Sequence, residues 1–271
     1  MWTLLAGLVL AQSGDESWLN PPDGPQLALS AELGFLAPLY HRVQFGEDGT
    51  EINYIQEGGQ GNLFPFVRLE ADATFGRSIV TLLYQPIDLR TEATFYEDKV
   101  IDGEVFAAGT PVDLRYGFSF WRASWMWDLA PSDEVTTGLG LSLQIRNASL
   151  EFSSADGTQR IANQNIGPVP VLKFRHRRPI GERFFFVGEV DGFWAPIRYF
   201  NGGSSDVEGA IVDASLRGGW TLRHGAETYL NLRWIGGGAV GTSNNPDTPG
   251  ADGYTRNWIH TLNLSLGFTL R

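Results

Sequence analysis

The sequence predicts an all-β protein, a transmembrane antiparallel up-and-down β-barrel of about ten strands, and three observations carry that expectation. The last stretch, Trp258 to Arg271, sets Leu262, Leu264, Leu266, Phe268 and Leu270 on one parity and Thr261, Asn263, Ser265, Gly267 and Thr269 on the other. Side chains in a strand repeat every two residues, so this ribbon has one greasy face and one small polar face. Beyond the N-terminus no segment approaches the ~18 consecutive apolar residues of a transmembrane helix. A chain of this kind crosses a bilayer only as a closed sheet, because the hydrocarbon offers no partner to an unpaired backbone group. Finally, the connections alternate: long at 46–63, 99–110, 153–165, 197–207 and 236–256, short at 76–77, 130–133, 178–182 and 223–226. Long loops at one end, short turns at the other and an even strand number are the pattern of barrels that span a membrane.

Composition agrees. The 271 residues include 33 glycines and 13% aromatics, a mixture suited to many strands and tight turns. With no cysteine, neither a disulfide framework nor a cysteine-ligated metal site is possible. A formal charge of −11 argues against nucleic acid, whose phosphates require a basic face.

The chain opens with the apolar run Met1 to Gln12, which has the shape of a signal peptide cleaved after Val9-Leu10-Ala11, although its first residues carry no Lys or Arg. Three segments are therefore expected: a signal peptide over 1–11, a periplasmic leader over 12–25 rich in proline, and the barrel over 26–271. The first strand, about 27–39, opposes Leu27, Leu29, Ala31, Leu33 and Phe35 to Ser30, Glu32 and Gly34. The second, about 64–75, opposes Leu69, Ala71, Ala73 and Phe75 to Arg68, Glu70, Asp72 and Thr74, and Gly76-Arg77 is short enough for a tight hairpin turn.

The third strand changes face. Val80, Leu82 and Tyr84 begin on the greasy parity, but beyond Pro86 that parity holds Asp88, Arg90 and Glu92, while Ile87, Leu89, Ala93 and Phe95 become the apolar set. One extra residue flips every later side chain, so a β-bulge is expected at Gln85-Pro86, where proline's missing donor is tolerated. The fourth strand invites a second flip at Phe120-Trp121, between the apolar set Leu114, Tyr116, Phe118, Phe120 and the set Ala123, Trp125, Trp127, Leu129. The fifth invites a third near Arg146-Asn147, between Leu139, Leu141, Leu143, Ile145 and Ala148, Leu150, Phe152. These three strands exceed the ~9–11 residues that a tilted strand needs to cross hydrocarbon, and are expected to project beyond it. Strands six to nine repeat the alternation around Leu172 and Phe174, Val190 and Trp194, Leu216 and Trp220, and Leu232 and Trp234. Trp127, Trp194, Trp234 and Trp258 lie toward strand ends on the lipid parity, where girdle aromatics belong.

With this architecture and the terminal segment Trp258 to Arg271, the chain over roughly 26–271 resembles small monomeric bacterial outer-membrane β-barrel proteins. The resemblance implies a Gram-negative outer membrane, a surrounding of lipid and lipopolysaccharide, a monomer, and biogenesis through the barrel-assembly machinery. The signal read by that machinery usually ends on an aromatic residue, whereas here Phe268 is followed by Thr269, Leu270 and Arg271.

Arg68, Glu70, Asp72, Asp88, Arg90, Glu92, Asp113, Arg115, Arg146, Lys173, Arg175, Glu189, Asp191, Asp213, Arg217 and Arg233 are all expected on the inward parity. Interleaved acids and bases predict a hydrogen-bonded ionic network filling a small lumen, with a narrow solute or ion channel as the alternative. The candidates for a catalytic base are His41 and His260, expected near the outer rim on the first and last strands and facing the lipid interface; Ser153 and Ser154 lie near the same rim, and His176 and His224 on the periplasmic side. No Gly-x-Ser-x-Gly elbow accompanies them, so a lipid-modifying hydrolase is the weaker reading. Asn244, Asn245, Asp247 and Asp252 in the last loop do not match the spacing of a calcium loop, and neither metal nor cofactor is expected. The function expected is structural or surface interaction, with a channel, a hydrolase and a soluble secreted ligand-binding barrel as alternatives.

Overall fold

The computed structural model describes residues 19–20, 24–132, 135–196, 206–242 and 252–271. The expected signal peptide, most of the leader, and Asn244, Asn245 and Asp247 lie outside the described residues. The strands are β1 (Gln26–Phe45), β2 (Ile52–Asn53), β3 (Phe64–Phe75), β4 (Ser78–Gln85), β5 (Asp88–Thr94), β6 (Lys99–Ile101), β7 (Glu104–Phe106), β8 (Pro111–Asp128), β9 (Thr136–Ser154), β10 (Arg160–Ile180), β11 (Phe184–Pro196), β12 (Glu208–Thr221), β13 (Glu227–Thr242) and β14 (Tyr254–Leu270). β4 and β5 both pair with β8 and lie end to end as one stave, β2 is a short spur on β1, and β6 with β7 forms a separate hairpin in a loop. The rest is a closed, antiparallel, ten-stave barrel. Closure is made by β14 against β1, paired from Leu29↔Leu270 to Phe45↔Thr255 with one register shift between Pro38 and Tyr40.

The faces follow from what surrounds the wall. Along β14 Leu262, Leu264, Leu266, Phe268 and Leu270 point outward, while Thr261, Asn263, Ser265 and Thr269 are buried inside. The small residues on the inner face have a steric use. A β-carbon at Gly267 would lie 2.2 Å from the ring of Tyr229, so only glycine lets that ring lie against the wall. Gly76, at φ 57°, supplies the left-handed residue of the two-residue turn between β3 and β4. The loop at 46–63 and the turn at 76–77 fall where the alternation stops, and most of the connection expected at 197–207 lies outside the described residues.

None of the three expected face changes is a register change. β4 pairs Gln85 with Phe120 and β5 pairs Asp88 with Gly117, which is one uninterrupted register across Pro86. β8 and β9 stay in register from Val112↔Ser154 to Asp128↔Gly138. Each strand therefore keeps its facing, and the chemistry of both faces inverts. Toward the short-turn end the outside is apolar and the inside ionic; toward the long-loop end Ile87, Leu89, Leu114, Tyr116, Leu150 and Phe152 are buried inside and the charges lie outside. The physical reason is the medium: a wall that leaves hydrocarbon for water needs a polar exterior, and its interior becomes an ordinary apolar core. The one shift of inward parity seen along β1 lies between Pro38 and Tyr40, after which His41, Val43 and Phe45 face in.

The loop expected at 153–165 is only residues 155–159, because β9 and β10 continue as a hairpin with Ile161 turned into the core. Polar exterior residues along Arg160–Gln164 remove the alternation that marks a lipid-facing strand.

Candidate functional site: the barrel interior

The interior has two levels. Between the apolar outer surfaces lies an ionic level built by Arg68, Arg122, Lys173, Arg175, Arg217 and Arg233 with Glu32, Glu70, Asp72, Glu189, Asp191 and Asp213, six cations and six carboxylates. These partners reach across the barrel. Arg68, on the second stave, donates from Nη2 to Glu70 Oε2 at 2.6 Å and to Glu189 Oε1 at 3.2 Å, and Glu189 stands on the seventh stave, the opposite wall of a ring of ten. Arg175 grips Glu189 Oε2 through Nε at 2.7 Å, Asp72 through Nη1 at 2.9 Å and Glu70 through Nη2 at 3.0 Å. Lys173 bridges Glu189 at 3.1 Å and Asp191 at 3.0 Å. Arg122 Nη1 lies 3.0 Å from both Asp191 and Asp213, and Arg233 donates to Asp213 at 2.9 Å. Glu32 accepts from Asn231 Nδ2 and Ser265 Oγ, each at 2.9 Å. Arg68, Arg122, Lys173 and Arg233 are each only 1% exposed, so the centre of the barrel is filled by side chains.

Of the candidates read from sequence, Arg68, Glu70, Asp72, Glu189, Asp191, Asp213, Arg217 and Arg233 meet here, as do Lys173 and Arg175. Asp88, Arg90, Glu92, Asp113 and Arg115 do not. They stand outside the wall at the long-loop end, Asp88 bridging Arg90 and Arg115, because the inward parity of β5 and β8 is already held by Leu89, Val112 and Leu114. Glu32 and Arg122 complete the network and share its polar parity, the signal by which they could have been found. At the short-turn end Glu227 receives Arg177 Nη2 at 2.6 Å and the terminal Arg271 Nε at 3.0 Å.

Above the ions sits an apolar cap. Loop 46–63 brings Ile52 and Tyr54 inside, and the segment after β5 brings Phe95, Ile101 and Phe106. His41 is buried among them, its Nδ1 2.7 Å from Gln60 Oε1 and its ring stacked on Tyr54 at 4.5 Å. His260, paired in register with Tyr40, faces outward and stacks on Trp234 at 5.5 Å. The two histidines therefore lie on opposite faces of the wall, not together at the lipid interface, and form no catalytic pair. Ser154 is spent on the β9–β10 hairpin tip, donating to Asp156 Oδ1 at 2.7 Å. His176 accepts or donates at 3.0 Å with Thr137. Asp252 takes the Glu47 amide at 2.7 Å and the Tyr254 amide at 2.9 Å, tying the last loop to the first.

The cap is pinned by Lys99, itself buried, whose Nζ donates to Glu57 at 2.7 Å and Glu97 at 2.8 Å. Partial burial works against both charges, yet the Lys99 ammonium holds the Glu57 carboxyl below its ordinary 4.5. The tether is thus complete above pH 4.5 and is lost as pH falls through the lowered value of Glu57. Lys99→Ala is expected to expose loop 46–63 to nicking by added protease at neutral pH while wild type stays intact; wild type is expected to become cleavable in the same assay, with an acid-active protease, once Glu57 is protonated.

No protein-family model and no curated protein sequence matches the chain. Among solved structures it is similar to the outer membrane protease OmpT from Escherichia coli, with a TM-score of 0.57 at 10% identity, covering 95% of this chain and 99% of that one. The transport unit of the autotransporter AIDA-I from Escherichia coli gives 0.42 at 10% identity, covering 99% and 95%. Ail, the attachment invasion locus protein of Yersinia pestis, gives 0.36 at 12% identity, covering 90% and 99%. The fold is that of the small bacterial outer-membrane β-barrel proteins.

Proposed function

We propose that the protein resides in a Gram-negative outer membrane as a closed barrel with a structural or surface-interaction role, its long loops outward and both chain ends in the periplasm. It is a monomer in this reading, surrounded by lipid and lipopolysaccharide and delivered by the barrel-assembly machinery through its terminal strand. The observation that carries the closed reading is the Arg68–Glu189 contact across the full width of the ring, at 3.2 Å, in a level whose charges balance. An open charged pore needs water between its walls. A fold shared with a protease transfers no activity, since function lives in the site and not in the scaffold.

Planar-bilayer recording is the test. The refolded barrel is expected to give no steady current steps. Reproducible steps, with ion selectivity that changes in Arg68→Ser, would establish a channel and refute the closed reading.

A further inference from the structure

Two neighbouring staves come apart partway up the wall. β10 and β11 are paired only from Ile180↔Phe184 to Leu172↔Gly192. Beyond that point β10 stays on β9 as far as Arg160↔Ser153 and β11 stays on β12 as far as Pro196↔Glu208, but the two no longer pair with each other. The parting follows from the sequence. At the β9–β10 hairpin the Ser154 amide donates to the Gln159 carbonyl at 3.0 Å, and the register runs unbroken from there to Thr136↔Arg177. Bonded and non-bonded pairs alternate in an antiparallel ladder, so the odd-numbered residues of β10 bond to β9 and the even-numbered ones face β11. Above Leu172↔Gly192 the next two bonded pairs would be Pro170 with Trp194 and Pro168 with Pro196. Proline has no amide proton, so of the four donors that these two pairs require only that of Trp194 exists.

This seam opens where Pro170 and Pro168 pair with Leu143 and Ile145, the last apolar outward residues of β9 before Asn147. Behind it, directly above Lys173, Asp191 and Asp213 of the ionic level, the inward residues are Val169, Val171, Phe193 and Ile211. None of the four belongs to the apolar cluster of the cap, and Val169 and Phe193 are only half-buried. β3 and β5 also part, above Leu69↔Tyr84, but there the cap packs behind the wall on Phe66, Ile87 and Leu89. An added peptide strand does not suit the β10–β11 edges, which offer carbonyls and a single donor. A hydrocarbon chain needs no donor, and the surface behind the seam is apolar.

We infer that the β10–β11 seam is a lateral entrance through which one hydrocarbon chain of an outer-leaflet lipid reaches the surface formed by Val169, Val171, Phe193 and Ile211 inside the barrel. The inference rests on the membrane orientation proposed above. It leaves the closed reading intact, because the ionic level lies below the seam and bars the way along the axis.

The test is photolabelling of the full-length barrel, refolded into phosphatidylcholine vesicles that contain palmitic acid with a diazirine in its chain, the labelled residues being located by peptide mass spectrometry. Wild type is expected to carry label on Val169, Val171 or Phe193 as well as on the outward residue Leu141. Two variants close the entrance in different ways: Pro168→Val/Pro170→Val/Pro196→Val supplies the missing donors, and Val169→Trp fills the space behind the seam. In each, the inward label is expected to fall at least about tenfold while the Leu141 label stays. Heat-modifiable gel mobility verifies that each variant is folded. Wild type labelled on Leu141 and on none of the inward residues overturns the proposal, as does inward label that persists in either folded variant, which would mean entry from the loop end. Absence of label from Leu141 as well sinks the membrane reading itself.

Discussion

Glu189→Ala is expected to destabilise the barrel by about 3–5 kcal/mol, seen as a lower urea midpoint for unfolding from lipid vesicles. Glu189 lies within salt-bridge distance of Arg68, Lys173, Arg175 and Arg233, and is 1% exposed. Its loss leaves four cations facing one another in a lumen that otherwise balances six against six. The cost comes from the uncompensated charge, not from the net worth of the pairs. Removing a matched pair tests that distinction. Lys173→Met with Asp191→Leu keeps the balance and should cost less than the sum of the two single changes. A double variant as damaged as that sum would mean that the ions act independently.

Phe152→Ala is expected to cost a further about 3–5 kcal/mol, the loss associated with an aromatic side chain in a water-excluded core. Phe152 is fully buried, edge-on to Phe45 at 6.0 Å and Tyr54 at 5.9 Å. Leu141 stands on the same strand but faces outward and is 61% exposed. Its neighbours in the folded barrel are acyl chains, so Leu141→Ala opens no protein cavity and should shift the urea midpoint far less. Equal costs at the two positions would contradict an interior in which Phe152 packs on protein while Leu141 faces outward.

The alternation of Trp258 to Arg271 shows the wall's two faces, because a strand in lipid must hide its backbone and grease its outside at every second residue, and the alternating long and short connections give the ten staves. The inversion of those faces was harder to read. An inserted residue and a change of surrounding medium leave the same mark on a period of two, and Pro86 made the insertion look natural. The continuous register Gln85↔Phe120 and Asp88↔Gly117 separates the two explanations, and no property of the sequence alone does. The error carried over to the site. Asp88, Arg90, Glu92, Asp113 and Arg115 were assigned to the lumen because charge on a membrane strand usually faces inward, which fails once the strand is in water. His41 lies inside for a different reason: the register shift between Pro38 and Tyr40 turns it inward, and Pro38, a residue type that strands accept at bulges, is the signal that marks the place.

The central claim is that one outer face of β9 passes from lipid to water without changing parity. The chain contains no cysteine, so single cysteines at Leu139, Leu141, Leu143, Ile145, Asn147, Ser149 and Glu151 can each carry a spin label in lipid vesicles. Label accessibility to oxygen is predicted to be high and to a water-soluble nickel complex low from 139 to 145, with the two reversed from 147 to 151. Lipid-like accessibility continuing through 151, or appearing at the intervening positions 148 and 150, would show that the strand flips its face and that the wall described here is wrong.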